Sequence, residues 1–375
     1  MRIITMKWRT CLEAVGAAVV MLAGPRLAGA EAERVVDAPD RRQIQAAVDA
    51  GLHWLATRQI KEGADVGRWP SPSYPTAVAG FGGLAFLANG YLPGKSEYGT
   101  VLERAMRYVQ ASMTPDGYLG TQGNSMYVHA VCSLLGLTYL GMSPDAAHEK
   151  ELAAWCRKSV ELILRAQKVH KADTEEGGWR YTPTSSESDV SVTSWQLLVL
   201  YTAKDCGYEI DRQVFADGLR YVNSAFLELP DGRAGFVYRP LSSPTPEPGI
   251  TGTALFLKSL LEKEQDTKFR QARVFLGDLS PTWGGPQYKG YFYFVMFYMA
   301  QGVFQLGDDA WRDFAPQMQR LLLDHQLADG SWEFPPDTRE GPVAGDAYAT
   351  SMAILLLSLD KQYLPMYQRR TALFR

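Results

Sequence analysis

Past residue 40 the chain repeats itself, and the repeat decides what it can fold into. Six times an apolar stretch opens on a short step: Tyr74-Pro75-Thr76, Tyr127-Val128-His129, Ser191-Val192-Thr193, Gly249-Ile250-Thr251, Tyr293-Phe294-Val295 and Tyr348-Ala349-Thr350. Four of the six steps end on Thr. Self-similarity at this period marks stacked supersecondary units, none of which can bury its apolar face alone. The stretches that follow, such as Ala130 to Leu140 and Met352 to Leu359, are apolar nearly all round and predict buried helices. Between them lie charged, amphipathic segments: 41–58, 98–111, 149–167, 212–227, 267–276 and 309–325. The alternation predicts an all-α fold of six helical hairpins, with an inner and an outer helical ring. Closing the stack into an α/α toroid leaves no apolar end open to water.

A second element recurs where each outer segment ends. Gln326-Leu327-Ala328-Asp329-Gly330-Ser331-Trp332 is its clearest copy. Gln167 leads to Gly177-Gly178-Trp179, and Gln59 to Gly67-Arg68-Trp69. Gln110 leads to Gly117-Tyr118, while Gly235-Phe236 and Trp283-Gly284 are weaker copies. Gly allows a positive φ, the aromatic can pack on the next hairpin, and Gln can cap the preceding helix. The element therefore reads as architecture. Arg180, beside Trp179, is placed to stack or to pair with an acid across a repeat boundary.

The Gln-x-x-x-Gly-x-Trp pattern of Gln326 to Trp332 resembles the repeat signature of squalene and oxidosqualene cyclases, and the likeness extends over roughly residues 41–360. The resemblance implies the toroid that those cyclases share with protein prenyltransferases. It also implies where cyclase chemistry would sit, at an Asp-x-Asp-Asp-Thr motif whose middle Asp protonates an alkene. Aligned on its Thr, the nearest stretch here is Asp189-Val190-Ser191-Val192-Thr193. Ser191 stands at the donor's place and Val192 at the third acid's, so the class II acid motif is not retained. Asp346-Ala347-Tyr348-Ala349-Thr350 departs in the same way.

Other chemistries lack their residues. Asp205-Cys206 has the wrong spacing for a prenyltransferase zinc site, and His129 has no Cys or Asp at ligand spacing. No Gly-x-Ser-x-Gly elbow, P-loop or dinucleotide fingerprint occurs. No metal and no cofactor are expected. What remains is a set of cavity candidates. Asp189, Glu247 and Asp346 stand four residues before a recurring Thr, at one level of the ring. Asp189 and Asp346 read first as helix N-caps, a role whose amide bonds lower a carboxyl pKa. Glu247, in Pro-Thr-Pro-Glu-Pro, reads as a loop residue. Tyr127, His129, Tyr293 and Tyr348 complete the set, as cavity lining or as ordinary inner-ring packing.

The 375 residues are 46% hydrophobic and 21% charged, with net charge −3 and no block of like charge that would suggest nucleic acid. Lys7 and Arg9, the apolar run Ala14 to Gly24 and Ala28-Gly29-Ala30 have the form of a signal peptide, too short to span a bilayer. The expected organisation is a signal peptide over 1–30, a linker over 31–40, the toroid over 41–365 and a tail over 366–375. The mature chain is expected to be exported, to the periplasm or beyond, without a transmembrane segment. Its Cys132, Cys156 and Cys206, an odd number in apolar helical surroundings, read as buried free thiols. The expected function is binding of an apolar or isoprenoid-like small molecule in the central cavity. The alternatives are a non-catalytic scaffold for a protein partner, its cavity filled by side chains, and a polysaccharide lyase using Tyr127 and His129.

Overall fold

The computed structural model describes residues 38–368 apart from 95, 121–124 and 263–265. The expected signal segment, most of the linker and residues 369–375 lie outside them. Six outer helices, α1 (Arg41–Arg58), α3 (Glu97–Ala111), α5 (Ala146–Gln167), α7 (Arg212–Ser224), α9 (Thr267–Gly277) and α11 (Asp308–Asp324), alternate with six inner ones. The inner set is α2 (Pro75–Leu87), α4 (Ser125–Tyr139), α6 (Val190–Asp205), α8 (Pro248–Leu261), α10 (Phe292–Leu306) and α13 (Asp346–Leu357). A single turn, α12 (Gly341–Ala344), precedes the last of these. Each inner helix packs on the next, and α13 packs back on α2, so the ring is closed. Among the described residues no helix is long and apolar enough to cross a membrane.

The two rings follow from the two kinds of sequence. Inner helices are buried on every side, as in α2, where all residues from Ala77 to Leu87 are buried. Outer helices bury one stripe. In α3 it is Leu102, Ala105, Met106 and Val109, the i, i+3, i+4, i+7 rhythm of a half-covered helix. Capping fixes several starts: Asp40 and Gln43 form a capping box on α1, and Asp145, Asp211 and Asp266 cap α5, α7 and α9.

Two boundaries differ from the sequence expectation. The outer segment expected over 212–227 stops as a helix at Ser224, because Phe226–Glu228 (β1) pairs antiparallel with Ala234–Phe236 (β2) across an Asp231-Gly232 turn with Gly232 at φ 85°. The tail expected from 366 is instead part of the ring. Met366 and Tyr367 are buried, and Tyr367 packs against Phe297 of α10. Among the cysteines, Cys132 and Cys156 are buried, but Cys206, the C-cap residue of α6, is exposed.

The Gln-to-Trp element is the joint between repeats, and it does more than cap. Gln59 Nε2 donates to Gly67 O (3.0 Å) in its own turn and to Val101 O (2.9 Å) of the next outer helix. Gln167 makes the same pair with Gly177 O and Val214 O, both 2.9 Å. Gln326 makes it with Gly330 O (3.0 Å) and with Ala47 O (2.9 Å), which joins the last repeat to the first. Each Trp in turn donates its indole N–H to the carbonyl four residues before that Gln: Trp69 to Leu55, Trp179 to Ile163 and Trp332 to Leu322. The recurring Thr completes the joint, since Thr193, Thr251 and Thr350 accept the backbone N–H of Trp179, Phe236 and Trp332. Gly235-Phe236, weak in sequence, is thus a working copy. Replacing Gln326 by Ala strips a donor from two carbonyls at the closing joint. The expected cost is about 2 kcal/mol, measurable by urea denaturation.

Candidate functional site

Residues two apart on a helix point about 200° apart, so the first and third residues of each step face opposite ways. The third faces the turn and the outer ring. The first faces inward: Tyr74, Tyr127, Ser191, Gly249 and Tyr348 all line one central cavity of about 700 Å³. His129, a third residue, is therefore turned away. It is fully buried, its Nε2 lies 3.0 Å from Ser159 O of α5, and its ring lies 5.9 Å from the turn aromatic Tyr118. Burial depresses its pKa to about 4, leaving a neutral packing residue outside the cavity.

The fifth step is misaligned by two residues in the sequence reading. Tyr291 lines the cavity, while Tyr293 does not. Tyr293 takes the outward place beside Trp283, the turn aromatic, at 6.3 Å, and donates its hydroxyl to Glu333 O at 2.6 Å. The aromatic crowding of α10 hid this register, because Tyr and Phe occur at every phase of that helix.

The cavity wall is aromatic and aliphatic. Trp195 stacks on Phe297 (6.1 Å, 12° between planes) and meets Phe81 edge-on at 6.1 Å; Phe294 lies 4.6 Å from Tyr298. At the place where the resemblance would put a proton donor, Ser191 Oγ lies 2.9 Å from both the Tyr127 and the Tyr298 hydroxyls. A hydroxyl bridged by two phenols whose pKa values burial pushes well up offers no strong acid.

The three acids proposed for one level of the ring separate. Glu247 lines the cavity and pairs with Lys289 Nζ at 3.0 Å, without capping α8. Asp346 sits exposed in the first turn of α13, where Gly345 is the N-cap residue, and is not part of the lining. Asp189 caps α6, accepting the Val192 amide at 2.8 Å, and lies behind the wall, fully buried. Its second oxygen is 3.5 Å from Arg180 Nη1, an ion pair too long for a good hydrogen bond. Arg180 also pairs with Glu187 at 3.2 Å and lies over the Tyr181 ring at 4.6 Å. The expectation that capping lowers the Asp189 pKa is reversed. Burial raises it to about 7, outweighing the Val192 amide, Arg180, Tyr238 and Arg239.

One acid carried no signal in the sequence. Glu340, just before α12, lines the cavity yet is only 4% exposed. Its carboxylate accepts the Tyr293 and Phe294 amides (3.0 Å each) at the start of α10 and the Tyr348 hydroxyl (2.9 Å). Burial again dominates those bonds and raises its pKa to about 7. The repeat pattern cannot reveal it, because Glu340 belongs to an insertion between the last turn and the last inner helix.

A double ring of helices closed around an aromatic cavity defines an α/α toroid. No protein-family model matches the sequence, and no curated protein does. Among solved structures the chain is similar to the type II terpene cyclase MstE from Scytonema, at 13% identity and TM-score 0.53, over 88% of this chain and 100% of the other. It is similar also to a family 76 glycoside hydrolase from a bovine Bacteroides thetaiotaomicron strain (10% identity, TM-score 0.59, 85% and 77% covered). A protein from Actinoplanes aligns at 16% identity and TM-score 0.51, over 86% and 99%. At such identities the likeness is one of fold.

Proposed function

We propose that this is an exported toroid that binds an apolar, isoprenoid-like ligand in its central cavity and lacks the class II cyclase acid. The observation that carries the reading is the cavity itself, about 700 Å³ and walled by Tyr74, Phe81, Tyr127, Trp195, Phe294 and Tyr298. Pockets for small molecules run to about 300–1,000 Å³ and are mostly apolar with few polar groups. A pure scaffold, with side chains filling the ring, has no use for such a volume. The lyase alternative needs Tyr127 and His129 together, and His129 is on the far side of its helix. Proteins of this fold include both a variant of the cyclase MstE in complex with geranylgeranyl dihydroxybenzoate and family 76 glycoside hydrolases; the aromatic and aliphatic lining of this cavity is what favours the isoprenoid.

The test is binding of geranylgeraniol, followed by calorimetry, together with native mass spectrometry of protein from its own host. Saturable binding of one molecule per chain is expected, and squalene should be recovered uncyclised after incubation. Absence of binding would favour the scaffold. A cyclised triterpene would show that an acid other than the missing Asp does the protonation.

A further inference from the structure

Resting on the reading of the cavity as a ligand site, we infer that its preferred ligand carries a positive charge: an alkylammonium ion whose apolar chain fills the pocket and whose charge sits between the aromatic faces and Glu340. The carboxylate is the central observation. Glu340 is nearly buried, belongs to the cavity wall, and is fixed there by two amides of α10 and by Tyr348. The helix start that might have welcomed an anionic ligand is thereby already occupied by the Glu340 carboxyl group.

The surrounding faces have the same sign preference. Phe81 meets Tyr348 at 5.6 Å, and the Trp195, Phe294 and Tyr298 rings stand within 6.4 Å of one another. Ring faces carry negative quadrupole density and attract cations most strongly where water is excluded. The basic residues of the lining are elsewhere. Lys289 and Arg339 are exposed, and the Lys289 charge is matched by Glu247 at 3.0 Å. Behind the wall, Asp189 faces Arg180 rather than the cavity. A cation entering the pocket thus meets one buried carboxylate and several ring faces, with no buried basic side chain in the lining to oppose it.

The experiment compares decyltrimethylammonium, 1-decanol and decyl sulfate, each below its micelle threshold, by calorimetry on the full-length protein. The cation should bind at least tenfold more tightly than the alcohol, and the sulfate most weakly. Glu340→Gln should bring cation and alcohol within threefold of each other. Trp195→Leu, which keeps Glu340, serves if the first variant does not fold, and should weaken the cation more than the alcohol. Equal binding of cation and alcohol to the natural protein, or tightest binding of the sulfate, overturns the charge preference while leaving the cavity reading intact. Binding of none of the three defeats both.

Discussion

Gly67→Ala should cost about 4 kcal/mol of stability, several times the effect of the same substitution at Gly63. Both glycines have positive φ, 100° and 81°, so each Ala carries the left-handed backbone cost of roughly 1–2 kcal/mol. Their surroundings differ. A Cβ at Gly63 meets nothing within 4 Å, whereas at Gly67 it would stand 2.1 Å from the Arg104 carbonyl oxygen on α3. A backbone oxygen on a packed helix cannot step aside. The turn must lift instead, and with it go both bonds of Gln59 to Gly67 and Val101. Urea denaturation of the two variants side by side separates docking from conformational strain. Equal losses would mean that the turn does not bear on α3. Gly177 and Gly330 approach Asp217 O (2.3 Å) and Ala50 O (2.7 Å) in the same manner, so the result should transfer to them.

The stability difference between the natural protein and Asp189→Asn should swing by roughly 4 kcal/mol between pH 4 and pH 8. The sign follows from the raised pKa, about 7 when folded against 3.8 unfolded. Between those values the folded state holds a proton that the unfolded state has released. The group's favourable contribution is thus full below about pH 4 and is lost as pH rises through 7. Asn keeps the oxygen that accepts the Val192 amide and carries no charge to bury. Asn caps helices about as well as Asp, so the variant should match the natural protein within about 1 kcal/mol in acid. It should gain on the natural protein as pH rises. His129, with its pKa lowered to about 4, imposes the opposite slope, since its stabilising effect is lost as pH falls. Taking the difference between the two proteins cancels it. A difference flat from pH 4 to 8 would show that Arg180 holds Asp189 ionised throughout.

The ring was readable because burial writes itself into periodicity. Helices such as α2, apolar on all sides, can be satisfied only by an inner layer, and the stripe on α3 only by an outer one. The joints were readable because one bonding scheme recurs with fixed residue types. The cavity was half readable. The inward position of each step is a matter of helical phase, and it places Tyr127 and Tyr348 in the wall and His129 outside it. Phase fails where a helix has no polar face to set it, as in α10, and so Tyr293 takes in the sequence pattern the place that Tyr291 holds in the structure. Glu340 was illegible for a different reason. Its importance comes from a contact with amides of a helix some 46 residues earlier in the chain, and no local pattern encodes that. The direction of the Asp189 shift was likewise beyond the sequence, because capping and burial act oppositely on one carboxyl and only packing decides between them.

The joint through Gln326 and Ala47 has a consequence for how much of the chain is dispensable. In an open stack of repeats each unit leans only on its neighbours, and an end unit can be trimmed at the loss of a single interface. Here the last turn is bonded to the first helix as any turn is bonded to the next, and Trp54 Nε1 adds a bond to Asp329 at 2.9 Å. Among the described residues no hairpin is terminal. Deleting one exposes two apolar flanks and opens the cavity to solvent, so shortened forms should collapse as a whole rather than lose stability in steps.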